Sequence, residues 1–229
     1  MHMVRDGIYY LLGFSTAGIL ISGTLGIAYA IPLFLIAAFC AWFFRDPERL
    51  LPAGPFALSP ADGKVVGVAP EPGGVTRISI FLNVFDVHVN RTPISGIITD
   101  ITYKHGQFLV ASKENASADN EQNIITVLAP DGSVVVFSQI AGLIARRIIC
   151  YKKVGDHVQA GDRIGLIKFG SRCDVILGPE WQITVKPGMR VSAGSSVLAT
   201  RPGQVAWSKS LEEMAGELGK DPSKEPALC

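Results

Sequence analysis

The chain has 229 residues, a formal net charge of +1 and apolar side chains at 48% of its positions. That length suits one domain with a sizeable core, and the near-neutral balance provides neither a basic surplus for nucleic acid nor an acidic solvating tail. Four scattered cysteines, Cys40, Cys150, Cys173 and Cys229, lack C-x-x-C spacing, which argues against a zinc site or a disulfide framework and fits a reducing compartment.

The first element is apolar. From Gly7 to Phe44 there is no Asp, Glu, Lys or Arg. One membrane helix takes about 20 apolar residues, so the stretch suffices for two short spans turning near Ser22-Gly23-Thr24 or Pro32, or for one span plus an interfacial segment. Arg5 on one side and Arg45 and Arg49 on the other would place both flanks of a hairpin on the cytoplasmic face. Ala28-Tyr29-Ala30 has the A-x-A form of a signal-peptide cleavage site, but another apolar run, Ile31 to Phe44, follows it, and the apolar region is too long for a signal peptide. Two buried helices of a soluble core are the remaining alternative. Residues 1–50 therefore read as a membrane-associating segment, closed by the charges and prolines of FFRDPERLLP.

After Pro52 the texture changes to short β-branched runs punctuated by Gly, Pro, Asp and Asn. Runs at 64–70, 76–82, 87–90, 97–103, 124–129, 133–140, 146–154, 162–169, 174–178, 182–187 and 196–200 predict strands. Residues 51–229 thus form a β domain, and the whole is a β-dominated α+β chain. Residues 112–122 read as a flexible loop, with Asn120, Glu121, Gln122 and Asn123 as a solvated cluster or a lid. Val205–Leu218 is a marginal helix before a frayed tail.

Residues 165–178, GLIKFGSRCDVILG, pose a question: a strand pattern is interrupted by Gly170 and Ser171. Glycine there marks a bulge or a close backbone approach. A weak repeat surrounds it. Gly155–Ile164 aligns with Gly188–Val197, with Gly155/Gly188, Val158/Val191, Ala160/Ala193 and Gly161/Gly194 identical. Such units resemble biotinyl- and lipoyl-type domains, which implies a barrel-sandwich-like β domain. It also raises one functional alternative: a membrane-anchored carrier bearing its group on a lysine, for which Lys64 and Lys168 are the loosely similar positions.

Single residues leave the chemistry open. His88, in a strand-like run ending at Pro93, reads first as a hydrogen-bonded structural residue, and Asp62 as a turn residue. No G-x-S-x-G, H-E-x-x-H or P-loop occurs, and no metal site is indicated. The combination is more informative. The uncharged N-terminal stretch ending in FFRDPER, then SPADGKV, FDVHVNRTP, GLIARRI and FGSRCDV, in this order, closely resembles the phosphatidylserine decarboxylase proenzymes of the short bacterial and archaeal type.

That resemblance implies a lyase whose Gly170–Ser171 bond cleaves itself. Ser171 Oγ attacks the Gly170 carbonyl, the amide becomes an ester, and elimination and hydrolysis leave a covalent pyruvoyl group at position 171. The products are a β chain of 1–170 and an α chain of 171–229, held as a heterodimer. The ketone then forms a Schiff base with the serine amine of phosphatidylserine and accepts the electrons released with CO₂, giving phosphatidylethanolamine. By the same resemblance His88 is the base and Asp62 its orienting partner. Longer relatives carry a second histidine three residues after the first, where this chain has Arg91. Arg172 is expected either to serve a developing oxyanion or the substrate carboxylate, or to be a solvated turn residue. Arg146 and Arg147 are candidates for the lipid phosphodiester or for the membrane surface. The expected location is the cytoplasmic face of the cell membrane, with phosphatidylserine, or an ether lipid such as archaetidylserine, as substrate.

Overall fold

The computed structural model describes residues 2–109, 116–143, 147–168 and 170–201. Strand β1 (His2–Met3) leads into helix α1 (Arg5–Leu25), which turns at Gly26 into α2 (Ile27–Phe43) and β2 (Arg45–Asp46). Gly26 has φ +100°, a left-handed conformation that glycine adopts without steric cost. The turn therefore falls two residues after the first of the two expected places and not at Pro32. Thr24 continues the helix and donates its hydroxyl to Leu20 O at 3.0 Å, and Pro32 lies inside α2. Strands β1 and β2 pair antiparallel, His2 opposite Asp46, and so join the two ends of the helical hairpin.

Helix α1 is long and apolar enough to cross a membrane, and α2 is a shorter apolar helix of 17 residues. They meet closely: a Cβ on Gly18 would lie 2.8 Å from the Phe34 ring. Outward, Leu12, Ile19, Leu20, Ile31 and Leu35 are exposed, an apolar surface that water would not favour.

The β region runs β3 (Phe56–Leu58), β4 (Gly63–Pro70), β5 (Thr76–Leu82), β6 (Val89–Arg91), β7 (Gly96–Lys104), the short helix α3 (Ala116–Asp119), β8 (Gln122–Leu128) and β9 (Val134–Ile140). It continues with β10 (Ile148–Cys150), β11 (His157–Val158), β12 (Arg163–Ile167), β13 (Ser171–Leu177), β14 (Gln182–Ile183), β15 (Arg190–Val191) and β16 (Val197–Thr200). Eight strands form one antiparallel sheet in the order β11-β7-β8-β9-β13-β5-β4-β15. Two three-stranded sheets, β10-β12-β6 and β14-β16-β3, complete it. The β-dominated α+β reading holds.

Pleating explains the core. In β5, Ile78, Ile80 and Leu82 are fully buried and stand opposite Val175, Cys173 and Ser171 of β13. These six share one face, because residues two apart and residues paired across the ladder point the same way. The aligned units of the weak repeat fold alike. Each opens on a positive-φ glycine (Gly155 at +90°, Gly188 at +96°) and turns on another (Gly161 at +86°, Gly194 at +73°), with Val158 and Val191 buried between.

Residues 165–178 are not one interrupted strand. β12 ends at Ile167 in a three-stranded sheet, and β13 begins at Ser171 in the large one. Gly170, at φ +54°, belongs to the crossing between them. Nor is the Asn120–Asn123 cluster solvated: Asn120, Gln122 and Asn123 are buried, and β8 starts at Gln122 between β7 and β9. The marginal helix at 205–218 and the first part of the expected loop, residues 112–115, lie outside the described residues, and the rest of that loop contains α3. The carrier alternative loses its lysines. Lys64 lies in β4 opposite Arg190 and Phe81, Lys168 is buried, and neither stands at a hairpin tip.

Candidate active site

Ser171 heads β13 and is fully buried, and its Oγ has no hydrogen-bond partner among the described residues. Its strand neighbours on that face are apolar, so its hydroxyl sits where an unpaired polar atom is costly. Gly170 precedes it with open space around its Cα: a Cβ there would meet nothing within 4 Å. Gly170 is therefore a sterically open residue immediately before a paired strand.

His88 is 1% exposed, just before β6. Its Nδ1–H donates to the Asp86 carbonyl at 2.9 Å, which fixes the tautomer and leaves the lone pair on Nε2. That nitrogen is buried and, among the described residues, unpartnered. The Phe43 ring, from the end of α2, lies 4.3 Å from the imidazole centroid. Burial pushes the His88 pKa down from 6.5 to about 4, an effect to which the Arg45 charge adds and which the Asp86 contacts oppose. The ring is therefore neutral near pH 7 and carries a free basic nitrogen. Residues 83–88 are held from both ends. Asp86 accepts from the Asn83 amide at 2.9 Å and pairs with Arg190, while Arg45 donates to Phe85 O and Trp42 O.

The topology brings these two residues to one region. Ile167 N donates to His88 O at 3.4 Å, and Leu166 stands opposite Val89 in the β12–β6 pair. The segment leading into the Gly170–Ser171 bond thus runs beside His88.

The other expected residues take different places. Asp62 accepts from Arg49 through both carboxylate oxygens at 2.8 Å and from the Ala193 amide at 2.7 Å. The orienting contact expected of Asp62 is made instead by the Asp86 carbonyl, which lies two residues from His88 in the same turn. Arg172 is buried, not solvated, and donates to Asp174 Oδ1 at 2.6 Å and to Ser79 Oγ. It points to the opposite face of β13 from Ser171, because adjacent strand residues alternate; that face does not serve an oxyanion at residue 170. Arg147 is exposed, and Arg146 lies outside the described residues. Arg91, where longer relatives carry their second histidine, donates to Asp46 at 2.7 Å and to Gly161 O at 3.0 Å. Its role here is to hold the base of the helical hairpin on the β region.

Lys168, singled out in the sequence only as a possible carrier lysine, has a different place in the fold. Its ammonium lies 2.8 Å from Asp6 in the first turn of α1 and over the Tyr10 and Phe44 rings at 5.1 and 5.6 Å. The run just before Gly170 is thereby tied to the apolar hairpin. A cavity of about 460 Å³ opens at the same base, lined by residues that include Arg5, Asp46, Tyr151 and Arg163. A lysine two residues before an expected cleavage point was the available signal; only the fold shows its partner.

The family model described as phosphatidylserine decarboxylase matches residues 36–199. A phosphatidylserine decarboxylase proenzyme of Solibacter usitatus is 65% identical over 201 residues, covering 88% of this chain and 98% of its own. Those of Cupriavidus pinatubonensis and Syntrophus aciditrophicus are each 43% identical, covering 86% of this chain and 94% and 97% of theirs. With the family model matching most of the chain and these relatives matched almost end to end, the chain belongs to the phosphatidylserine decarboxylase family and is a decarboxylase.

Proposed function

We propose that this chain removes the carboxylate of phosphatidylserine to give phosphatidylethanolamine, after cleaving its own Gly170–Ser171 bond to leave a pyruvoyl group at position 171. The observation that carries the reading is the pair of buried atoms without a partner among the described residues, Ser171 Oγ, next to the sterically open Gly170, and His88 Nε2, on the run beside β12. The relatives' printed names, proenzymes of phosphatidylserine decarboxylase, support both substrate and processing.

A serine hydroxyl is a weak nucleophile until a base takes its proton. His88 Nε2 is that base. As the proton arrives, the Asp86 carbonyl accepts from Nδ1–H and steadies the imidazolium. The residues around position 171 fit the group: Leu82, Ile80 and Cys173 wall it with apolar surface. The pyruvoyl carbonyl supplies an electron sink for the pair left behind as CO₂ departs. The chain's own part is to exclude water, which favours loss of a desolvated carboxylate, and to return a proton to the substrate carbon from His88. Asp62, through Arg49 and Ala193, positions the β4 turn beside this site.

Cleavage would not release the new chain. β13 pairs along its length with β5 and with β9, both in the N-terminal product. The two products, 1–170 and 171–229, therefore remain one heterodimer. The hairpin α1–α2 places the enzyme where a diacyl lipid resides, with Arg5, Arg45 and Arg49 at the cytoplasmic face of the cell membrane. The test is CO₂ release from vesicles of phosphatidylserine by wild type and by Ser171→Ala, with ether-lipid vesicles alongside. Wild type releases CO₂ from the diester lipid and Ser171→Ala does not; decarboxylation by the variant overturns the reading.

A further inference from the structure

A third buried polar atom near the processing segment has no partner among the described residues. Asn90 Nδ2 is unpaired, and Asn90 is 0% exposed. Its amide orientation is set by a relay of buried side chains. Asn123 Nδ2 donates to Gln139 Oε1 at 3.0 Å, and Gln139 Nε2 donates to Asn90 Oδ1 at 3.0 Å. With Oδ1 turned to Gln139, Nδ2 is turned away with nothing to donate to. Buried amide donors are paired in the great majority of proteins, so an atom held in this state is poised for a partner that arrives later.

Register places the relay on the face of the large sheet that carries Ser171. Gln139 stands opposite Cys173 across the β9–β13 ladder, and Cys173 is two residues after Ser171. Gln139 and Ser171 therefore share a face of the large sheet. Asn90 reaches that face through Gln139 and follows His88 by two residues on the same extended run. Gly165, opposite Asn90 in β12, leaves room for the contact: a Cβ there would lie 3.0 Å from Gln139 Nε2.

We propose that Asn90 Nδ2 is a catalytic hydrogen-bond donor to the Gly170 carbonyl oxygen during self-cleavage, and that Gln139 and Asn123 are positioning residues that aim it. The proposal rests on the reading of Ser171 and His88 above. In the step, the Ser171 Oγ proton passes to His88 Nε2 and the Oγ–C bond forms at Gly170. The carbonyl π pair moves onto oxygen, where Asn90 Nδ2–H donates. Collapse returns that pair to the C=O bond, breaks the Gly170–Ser171 C–N bond, and returns the proton from His88 to the nitrogen. The negative charge exists only on the way, which is where a preset donor acts most strongly.

The test follows conversion of the newly made full-length chain into two chains in detergent. Asn90→Asp keeps the shape and the Oδ1 acceptor but replaces the donor. Conversion slows about 100-fold at about pH 8, the usual loss for one oxyanion donor. It recovers in part at about pH 5.5, where the buried carboxyl takes up a proton and can donate again. Gln139→Met, uncharged and of similar size, slows conversion without that pH response and serves if Asn90→Asp does not fold. Conversion at the wild-type rate by whichever of the two folds overturns the proposal, provided Ser171→Ala and His88→Ala stay uncleaved. Conversion of Ser171→Ala would instead overturn the underlying reading.

Discussion

His88 makes the stability of the uncleaved chain depend on acid in a way that can be isolated. The perturbation is His88→Gln, compared with His88 in a Ser171→Ala background so that both are single covalent chains. In the unfolded chain His88 takes up a proton below about 6.5, whereas in the folded chain burial delays this to about 4. Between those values the unfolded state binds the extra proton, so stability falls as pH drops from 6.5 and levels off below 4. At 1.36 kcal/mol per pH unit the interval is worth about 3 kcal/mol, most of it lost by about pH 4.5. The group is 1% exposed, so solvent screening takes little from that figure. Urea midpoints in detergent at pH 7 and 4.5 measure it. Between those two pH values the chain that keeps His88 should lose roughly 2.5 kcal/mol more than the His88→Gln chain, since carboxylate contributions cancel between them. Parallel losses in the two chains would refute a buried, neutral His88 and, with it, a free basic Nε2.

Four other substitutions test named features of the fold. Asp46, 2% exposed, accepts from Arg91 and Arg163; Asp46→Asn should cost roughly 3 kcal/mol and lower the thermal midpoint by about 6–12 °C, and an unchanged midpoint contradicts it. Gly170→Ala should fold with a penalty of only about 1–2 kcal/mol, because the strain is left-handed φ without a clash. Gly165→Ala should fail to give a monodisperse protein on size exclusion, because its Cβ would meet Ile149 O at 2.0 Å; equal behaviour of the two glycine variants would show the argument wrong. Asp6→Asn leaves the Lys168 ammonium buried without its carboxylate and should cost roughly 1–2 kcal/mol, moderated by the partial exposure of Asp6; urea midpoints in detergent check it, and no loss would mean that the pair does not hold the helix base.

The strands were legible because short β-branched runs are punctuated by turn residues: the run at 76–82 coincides with β5 residue for residue. The apolar hairpin was legible from missing charge and its turn to within two residues, the exact place being hidden because Ser22 and Thr24 are compatible with helix and Gly26 carries no neighbouring turn residues. Gly170 looked like a flaw in a strand, since both flanks are apolar. Only the sheet assignment shows that those flanks belong to different sheets. In the candidate site, Ser171 and His88 were legible from motif order. Their environment was not, because the atoms that tune His88 are the Asp86 main chain and the Phe43 ring, neither specified by residue type alone. The Asn120–Asn123 run misled for a related reason. Amides read as solvated loop in a sequence, and what keeps Asn123 inside is the hydrogen bond to Gln139, distant in the chain.

The central claim concerns one peptide bond, and the intact mass of the purified wild-type chain tests it most directly. The account predicts two polypeptides in place of one of 24.5 kDa: residues 1–170, and a shorter chain from position 171 without a free amino terminus. A single uncleaved chain that still decarboxylates phosphatidylserine would contradict it.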